Sequence, residues 1–165
     1  MVYTVTAKKQ DAFVLSFLPS PILGVIVFSL LILNLVFWMF PVYTLILIKV
    51  LTWGSWRHKL SYAVARTAQT WASCNVLIWN TLIGIRWDLH GMSELDRNGK
   101  YLVTCNHQSW NDILVLMNAF DRRAPFFKFF IKQELIWVPI LGLAWWGLDF
   151  PFMKRYTPQQ IEKNP

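Results

Sequence analysis

The sequence predicts an α/β domain that follows an amino-terminal membrane element. Residues 12–48 form an uninterrupted run of uncharged residues, which is longer than the core helix of a small soluble domain requires. After Gly84, short apolar runs alternate with helical patterns, and this alternation is typical of α/β architecture. We therefore expect a membrane anchor over residues 1–56, an amphipathic connecting helix over 57–82 and an incomplete α/β domain over 83–165.

The apolar run 12–48 is too long for one straight membrane span. As a single helix its 37 residues would measure about 55 Å, whereas the hydrocarbon core of a bilayer is about 30 Å thick. Pro41 removes a helix hydrogen bond and disfavours helical geometry at the residue before it, so we expect the helix to break there. The expected result is a re-entrant helix pair over residues 22–39 and 42–52. A single tilted span is the alternative.

The charge distribution indicates that this element meets an anionic membrane. The chain has 16 Lys and Arg against nine Asp and Glu, which gives a net charge of +7, and no acidic residue lies between Asp11 and Asp88. Six of the ten Trp lie in that acid-free stretch, a combination more typical of a membrane surface than of nucleic-acid binding. Basic residues on both sides of the apolar run predict that both ends face the cytoplasm. They are Lys8, Lys9, Lys49, Arg57 and Lys59.

The remaining secondary structure follows from local patterns. Apolar residues recur at steps of three and four from Trp56 to Leu82, which predicts a helix with one apolar face that packs on the bilayer or on a core. The run Tyr101–Cys105 is apolar throughout, as expected for a strand that is covered on both faces. The other predicted elements are a strand at 85–89, a helix at 111–120, a strand at 125–131, a helix at 138–147, a strand at 148–153 and a helix that begins at Thr157.

Candidate catalytic residues lie where the predicted strand Tyr101–Cys105 ends. His107 occupies the loop after this strand and Asp112 the first turn of the next helix, at the sheet edge where α/β proteins gather their sites. At this spacing the carboxylate can accept the Nδ1 proton of the ring, which leaves Nε2 as a base. A purely structural role for Asp112 is the alternative, because the helix dipole favours a negative charge in the first turn.

Two further interpretations use neighbouring residues. Ser109 or Cys105 could act as a nucleophile with His107 as its base. However, Ser109 lacks the Gly-x-Ser-x-Gly elbow, and Cys105 sits in an apolar strand that disfavours a thiolate. A metal site is also disfavoured, because no third ligand motif lies near His107 and Asp112. Cys74 and Cys105 lie far apart in apolar runs, so we predict no disulfide.

Two ordered motif blocks carry a resemblance to a known family. The first is Asn106-His107 followed by Asp112, with four residues between the histidine and the aspartate. The second block begins with Lys132-Gln133-Glu134-Leu135, continues through Pro139, Gly142 and Gly147, and ends with Phe152-Met153-Lys154-Arg155. Together they resemble the glycerolipid acyltransferases of the lysophosphatidic acid acyltransferase type over roughly residues 87–155. Within that family the sequence is similar to bacterial inner-membrane members, and its apolar amino terminus resembles their membrane anchor.

The resemblance implies a role for each matching residue. His107 matches the catalytic histidine, and Asp112 matches the carboxylate that orients it. Arg155 matches the residue that contacts the acceptor's phosphate, and an arginine can grip phosphate through two hydrogen bonds. Lys132 occupies a basic position of the same block and is expected to assist in substrate binding. Pro139, Gly142 and Gly147 match structural positions, which give a tight turn and a close backbone approach.

The resemblance also implies a reaction and a location. An acyl thioester, either acyl-CoA or acyl carrier protein, is expected to donate a fatty acyl group to the hydroxyl of a lysophospholipid. The expected acceptor is lysophosphatidic acid and the expected product phosphatidic acid. No metal or organic cofactor is implied, because the thioester brings its own leaving group. The expected partners are membrane phospholipids, the donor and the acceptor, without nucleic acid, on the cytoplasmic face of a cell inner membrane.

The sequence also departs from the family pattern. The family carries a third block, Glu-Gly-Thr or Glu-Gly-Ser before an Arg, which is absent here, and the sequence stops at Pro165 just after a predicted helix start. We therefore expect an amino-terminal fragment of a longer enzyme. The alternative is a catalytically inactive, truncated membrane protein that binds anionic lipids through four basic residues. These are Lys49, Arg57, Lys59 and Arg66.

Overall fold

The chain is a mixed, helix-rich α/β protein, which confirms the predicted class in its coarse form. The computed structural model describes residues 4–9, 15, 17–92, 95–106, 109 and 111–154, with side chains except at 4–9, 86 and 111. The chain divides into two compact units. Unit 1 consists of Met1–Phe40 and Arg66–Phe126, and unit 2 consists of Pro41–Ala65 and Phe127–Pro165.

The apolar run forms one continuous helix, α1 (Ser20–Val50), so the predicted break at Pro41 and the re-entrant pair 22–39 and 42–52 are wrong. A proline inside a helix forfeits one backbone hydrogen bond, but local adjustments and neighbouring groups compensate for that loss in apolar helices. With 31 residues, α1 measures about 46 Å. In the described part of the chain it is the one helix long and apolar enough to cross a membrane, which indicates membrane association.

The predicted helix from Trp56 to Leu82 is confirmed as α2 (Ser55–Ile83). Its buried positions Val64, Ala68 and Ala72 recur every four residues and mark one buried face, while the predicted face positions Trp71 and Cys74 are half-buried. The helix ends at Gly84, whose φ of +64° lies in the left-handed region that glycine adopts without steric cost. Strand β2 (Ile85–His90) then follows, which confirms the predicted strand at 85–89.

In unit 1 a pair of asparagines joins α1 to α2. Asn34 Nδ2 donates to Asn75 Oδ1 at 2.7 Å and to the backbone oxygen of Trp71 at 3.3 Å. Asn75 is 7% exposed, so its amide depends on this partner rather than on water. A buried amide that loses its partner costs more than a hydrogen bond contributes, because its desolvation is no longer offset.

We therefore expect Asn34→Leu to destabilise the protein by about 1–2 kcal/mol. The double variant Asn34→Leu/Asn75→Leu should be closer to the wild type than Asn34→Leu alone, because it leaves no unpaired amide. Thermal unfolding in mild detergent, followed by far-ultraviolet circular dichroism, measures both. A double variant that is less stable than Asn34→Leu would contradict this account of the pair.

The described strands form two small sheets of two strands each. In unit 1, β1 (Thr4–Lys9), which the sequence patterns did not predict, pairs antiparallel with β2 from Thr4 opposite His90 to Lys9 opposite Ile85. In unit 2, β3 (Ile131–Lys132) pairs in parallel with β4 (Phe152–Met153). This parallel pair is the part of the expected α/β sheet that the described residues form.

The helix predicted at 111–120 is confirmed as α3 (Asn111–Phe120). The helix predicted at 138–147 is shorter, because Pro139 and the left-handed backbone of Ile140, with φ of +68°, separate two helical pieces. A 3-10 helix (Gln133–Trp137) comes first and α4 (Leu141–Gly147) second. The predicted helix start at Thr157 lies outside the described residues.

Three predicted strands differ from the structure. The strand predicted at Tyr101–Cys105 is wrong: the segment forms no ladder, and the Leu102 side chain is 81% exposed. An apolar run becomes a strand only when another strand pairs with it, and none of the described strands pairs with this one. The strands predicted at 125–131 and 148–153 shrink to the two-residue strands β3 and β4.

Candidate active site

In unit 1, Asp112 lies in the first turn of α3 and closes the loop that precedes this helix. Its Oδ2 accepts a hydrogen bond from the backbone N–H of Ser109 at 2.8 Å. In return, the backbone N–H of Asp112 donates to the Ser109 oxygen at 3.1 Å. The carboxylate is therefore held in place by the loop it terminates, as capping interactions at helix starts do. His107 lies within the same short connection but outside the described residues, so the predicted His107–Asp112 contact stays a prediction.

The other end of α3 is fastened to α2, which fixes the helix that carries Asp112. Asp121 Oδ1, just after α3, accepts hydrogen bonds from Gln69 Nε2 at 2.9 Å and from Ser73 Oγ at 2.5 Å. Asn118, which is 8% exposed, donates a hydrogen bond from its Nδ2 to Asn80 Oδ1 at 3.3 Å. Charge-assisted and buried hydrogen bonds of this kind are the stronger ones, so they hold α3, which carries Asp112, against α2.

In unit 2, the parallel pair β3–β4 brings the two ends of the second motif block side by side. Lys132 is the register partner of Met153, and the Ile131 N–H donates to the Pro151 oxygen at 3.0 Å. Lys132 Nζ lies 3.5 Å from Glu134 Oε1, with the two side chains 48% and 65% exposed. Exposed ion pairs contribute little to stability, so the ammonium group of Lys132 can leave Glu134 to bind another anion. Arg155 lies two residues beyond Met153, outside the described residues, and its predicted role stays a prediction.

The glycines of the second block have the structural role that the sequence predicts. A β-carbon at Gly142 would collide with the backbone carbonyl of Ile136, and one at Gly147 would collide with the side chain of Ile46 on α1. The 3-10 helix therefore approaches α4 too closely for any other residue at position 142, and a larger residue at position 147 would require the Ile46 side chain to move. Tyr43 of α1 adds a hydrogen bond from its hydroxyl to the Ile140 oxygen.

A buried ion pair that sequence reasoning missed lies beside this block. Lys49, near the end of α1 and 4% exposed, donates to both carboxylate oxygens of Asp149 at 2.8 and 2.7 Å and to the Gly147 oxygen at 2.8 Å. We predicted Lys49 as a ligand of anionic lipid headgroups, and this is wrong because the ammonium group is buried and paired. The two residues are 100 positions apart, and no local pattern in the sequence signals such a partner.

Asp149 also terminates α4. The Phe150 N–H donates to the Trp145 oxygen and the Asp149 N–H to the Trp146 oxygen, both at 3.0 Å, which is the Schellman arrangement of a helix end. The residue in the left-handed conformation at this end is normally glycine, but here it is Asp149 with φ of +58°. An aspartate stands at this position because its carboxylate pairs with Lys49, which a glycine could not do.

The electrostatic surroundings of Asp149 favour its charged form. Its partial burial acts to raise its pKa, but the hydrogen bond and charge of Lys49 act against this, together with the Ser61 hydroxyl and the charge of Lys128. The result is a pKa below the ordinary value for aspartate. The pair is therefore intact at neutral pH and ties α1 to the segment that leads into β4.

The structure changes the argument about the alternative nucleophiles. Cys105 is exposed and is not part of a strand, so the predicted shielding of its thiol is wrong. Ser109 contributes its backbone N–H and oxygen to Asp112. Both Cys74 and Cys105 are free thiols, as predicted. Substitutions at Ser109 and Cys105 are therefore needed to test whether either residue acts as a nucleophile.

In a comparison with known proteins, residues 86–164 match a family model described as Acyltransferase. The 1-acyl-sn-glycerol-3-phosphate acyltransferase alpha of Mus musculus is 36% identical over 75 residues, which cover 45% of this chain and 25% of that protein. The lyso-ornithine lipid O-acyltransferase of Rhizobium meliloti (strain 1021) is 42% identical over 62 residues, which cover 38% of this chain and 19% of that protein. No solved structure matches. The matched segments thus span a quarter or less of the length of these relatives.

Proposed function

We propose that this chain, whose residues 86–164 match the Acyltransferase family model, is a glycerolipid acyltransferase that transfers a fatty acyl group from an acyl thioester to the hydroxyl group of a lysolipid. The observation that carries the proposal is the placement of Asp112. It is locked into the first turn of α3 by Ser109, five residues after a histidine, within the stretch that matches the acyltransferase model. Both relatives are named for acyl transfer, one to a glycerolipid and one to a lysolipid.

In the proposed mechanism His107 is the general base and Asp112 its orienting partner. His107 Nε2 takes the proton of the acceptor hydroxyl as that oxygen attacks the thioester carbonyl carbon, and Asp112 stabilises the imidazolium that forms. The tetrahedral intermediate collapses with cleavage of the carbon–sulfur bond. The imidazolium returns the proton to the departing thiolate, which leaves as the free thiol of coenzyme A or acyl carrier protein. Every proton is accounted for without a metal or organic cofactor, so we propose none.

The acceptor headgroup is the main open choice within this reaction. The names of the two relatives point to a phosphate-bearing acylglycerol in one case and to an ornithine-bearing lysolipid in the other. We propose lysophosphatidic acid as the acceptor and Arg155 as the residue that binds its phosphate, assisted by Lys132. In support, the parallel pairing of β3 and β4 places Lys132 next to the strand that leads to Arg155.

The Arg155→Ala variant of the natural full-length protein should raise the KM for lysophosphatidic acid about ten- to a hundredfold, with little change in the KM for the acyl donor. Loss of a charge-assisted contact costs roughly 1.5–3 kcal/mol, which corresponds to that range. Arg155→Lys should recover only part, because an ammonium group lacks the planar fork. Steady-state kinetics with both lysophosphatidic acid and lyso-ornithine lipid provide the measurement.

The adjacent Lys154, which is exposed, supplies the matched control for Arg155. Lys154→Ala removes an equal charge one residue away and should leave the acceptor KM nearly unchanged. An equal rise in both variants would indicate general electrostatic attraction rather than a phosphate contact. An unchanged acceptor KM in Arg155→Ala, or a preference of the wild type for lyso-ornithine lipid, would overturn the proposed headgroup.

We further propose a location on the cytoplasmic face of a cell inner membrane, with the apolar helix α1 as the anchor. Trp53 and Trp56 are 81% and 65% exposed directly after α1, and Lys59 Nζ lies 4.6 Å from the centre of the Trp56 ring. Tryptophan and basic residues are enriched where a helix leaves a membrane towards the cytoplasm. Partners there are membrane phospholipids, the lysolipid acceptor and the thioester donor.

The alternative of an inactive protein that only binds anionic lipid loses one of its four predicted contacts, since Lys49 is buried. Arg57, Lys59 and Arg66 are exposed and remain available for anionic headgroups. Membrane binding does not distinguish this alternative from the enzyme, because both require it. Turnover does distinguish them.

A further inference from the structure

Residues 137–148 form a segment without a single polar or charged side chain. It comprises the end of the 3-10 helix, a short turn and the whole of α4. A helix that is apolar on all sides is normally buried within a protein or within a membrane. Here one side is buried and the other is exposed, so the exposed side requires an explanation.

The exposed side is a regular stripe. Trp137, Ile140, Leu143 and Trp146 follow each other at steps of three residues, and they are 85%, 54%, 53% and 44% exposed. Leu143 and Trp146 lie on the same side of α4, and Trp137 and Ile140 belong to the 3-10 helix and the turn that precede it. Gly142 and Ala144 lie between these residues and Gly147 and Leu148 follow them, and all four are buried. We call the four exposed residues the α4 stripe.

The buried side of α4 lies against the end of α1. Ile140 contacts Tyr43, Gly147 contacts Ile46, and Gly147 and Asp149 both bind Lys49, so the two helices run side by side in the same direction. All of these residues belong to unit 2. The exposed residues at this end of α1 are apolar as well, with Leu47 62% and Val50 48% exposed. Two helices that pack against each other thus both expose apolar side chains, those of α1 and those of the α4 stripe.

Charge at both ends of the segment fits an anionic lipid surface. Lys154 follows β4 and Lys132 precedes the 3-10 helix; both side chains are exposed, and Lys132 Nζ lies 3.5 Å from the exposed carboxylate of Glu134. Seven helical residues measure only about 10 Å, so α4 is too short to cross a bilayer. An apolar stripe with tryptophan and flanking lysines is instead typical of a segment that lies in the interface of a membrane.

We propose that the α4 stripe is a second membrane contact of this protein, inserted into the interfacial layer of an anionic leaflet beside α1. The surface by which the protein contacts the membrane would then extend from α1 into the segment that matches the acyltransferase model. This contact would hold the motif block Lys132–Arg155 at the level where a lysolipid headgroup lies. The proposed contact does not depend on the proposed acyl transfer, because it rests on the exposure of the stripe, its packing and the flanking lysines.

Spin labels on the whole chain in vesicles test the contact. Cys74 and Cys105 are replaced by alanine, and a single nitroxide is attached at Leu143→Cys or, in a second variant, at Trp137→Cys. Gln133→Cys, at an exposed polar position four residues before Trp137, is the matched control. The vesicles contain phosphatidylcholine with phosphatidylglycerol. Collision of the label with oxygen, which concentrates in lipid, is compared with collision with a water-soluble nickel chelate.

We expect the ratio of oxygen to nickel collisions at Leu143 and at Trp137 to exceed the ratio at Gln133 several-fold. A low ratio at the stripe, equal to that at Gln133, would show that the stripe faces water and would overturn the proposal. Low collision with both reagents at the stripe would show that protein covers it, either a second copy or a further segment, and would overturn it as well. Because Leu143 and Trp137 are exposed, the labels should not disturb folding, and either variant alone decides the question.

Discussion

Replacing His107 by alanine in the natural full-length protein is expected to lower kcat for acyl transfer by about 10²–10⁴-fold. The KM values for donor and acceptor should stay nearly unchanged, because a general base acts in the transition state and binds neither substrate in the ground state. The measurement is the initial rate of acyl-lipid formation at saturating donor and acceptor. Undiminished turnover in His107→Ala would show that His107 is not the general base.

Three control variants separate His107 from its neighbours. Ser109→Ala keeps the backbone N–H that binds Asp112, so it should retain most activity unless the hydroxyl is the nucleophile. Cys105→Ala should also retain activity, although the thiol is exposed. Asp112→Asn keeps an oxygen for the Ser109 N–H but removes the charge that stabilises the imidazolium, so a large fall in kcat is expected with the loop intact. Loss of turnover in Cys105→Ala or Ser109→Ala as severe as in His107→Ala would favour a covalent mechanism in which His107 activates that nucleophile.

Asp149→Asn is expected to lower the free energy of unfolding by about 2–3 kcal/mol, measured by denaturation in mild detergent. Removing one partner of a buried ion pair typically costs about 3–5 kcal/mol because the other charge stays buried and unpaired. The lower value is expected here because the Asp149 side chain is 49% exposed and partly screened, whereas Lys49 is 5% exposed. Asparagine suits the left-handed backbone at this position, so the substitution tests the charge rather than the turn.

The matched variant Lys49→Met should cost less than Asp149→Asn, because it leaves a carboxylate that water can reach. The double variant should be more stable than Asp149→Asn alone, since no unpaired ammonium group remains buried. Equal losses in the two single variants, or additive losses in the double, would contradict the account of an ion pair with one buried member.

The same pair predicts a pH dependence. Asp149 has a pKa below its ordinary value of 3.8 in the folded protein, so its contribution to stability is fully present above that value and is lost as the pH falls through the lowered pKa. The stability difference between the wild type and Asp149→Asn should therefore be constant near neutrality and should shrink below about pH 4. A difference that persists unchanged at lower pH would argue against a charged Asp149.

Elements with a strong local pattern could be predicted from the sequence. The helices α2 and α3 and the strand β2 match their predicted bounds to within one or two residues, because apolar periodicity and the glycine at position 84 determine them locally. The family resemblance over residues 87–155 is confirmed by the model match over 86–164. These features need no knowledge of distant partners.

Elements that depend on distant partners could not be predicted in the same way. Tyr101–Cys105 has the composition of a buried strand, but whether it forms one depends on a neighbouring strand. Pro41 has the local signature of a break, yet the helix continues through it. Lys49 looks like a lipid-facing lysine at a helix end, and only the fold shows that it meets a carboxylate 100 residues later. His107 and Arg155, which lie outside the described residues, are still assigned from the motif alone.

Transfer of a labelled acyl chain tests the central claim most directly. The natural full-length protein is placed in lipid vesicles with a thioester that carries a radiolabelled fatty acyl group and with unlabelled lysophosphatidic acid. The label in phosphatidic acid and the released thiol are then measured together. The account predicts that both rise at the same rate, in equal amounts, and only when acceptor is present. Thiol release without labelled lipid, or the absence of both with lysophosphatidic acid and with lyso-ornithine lipid, would contradict it.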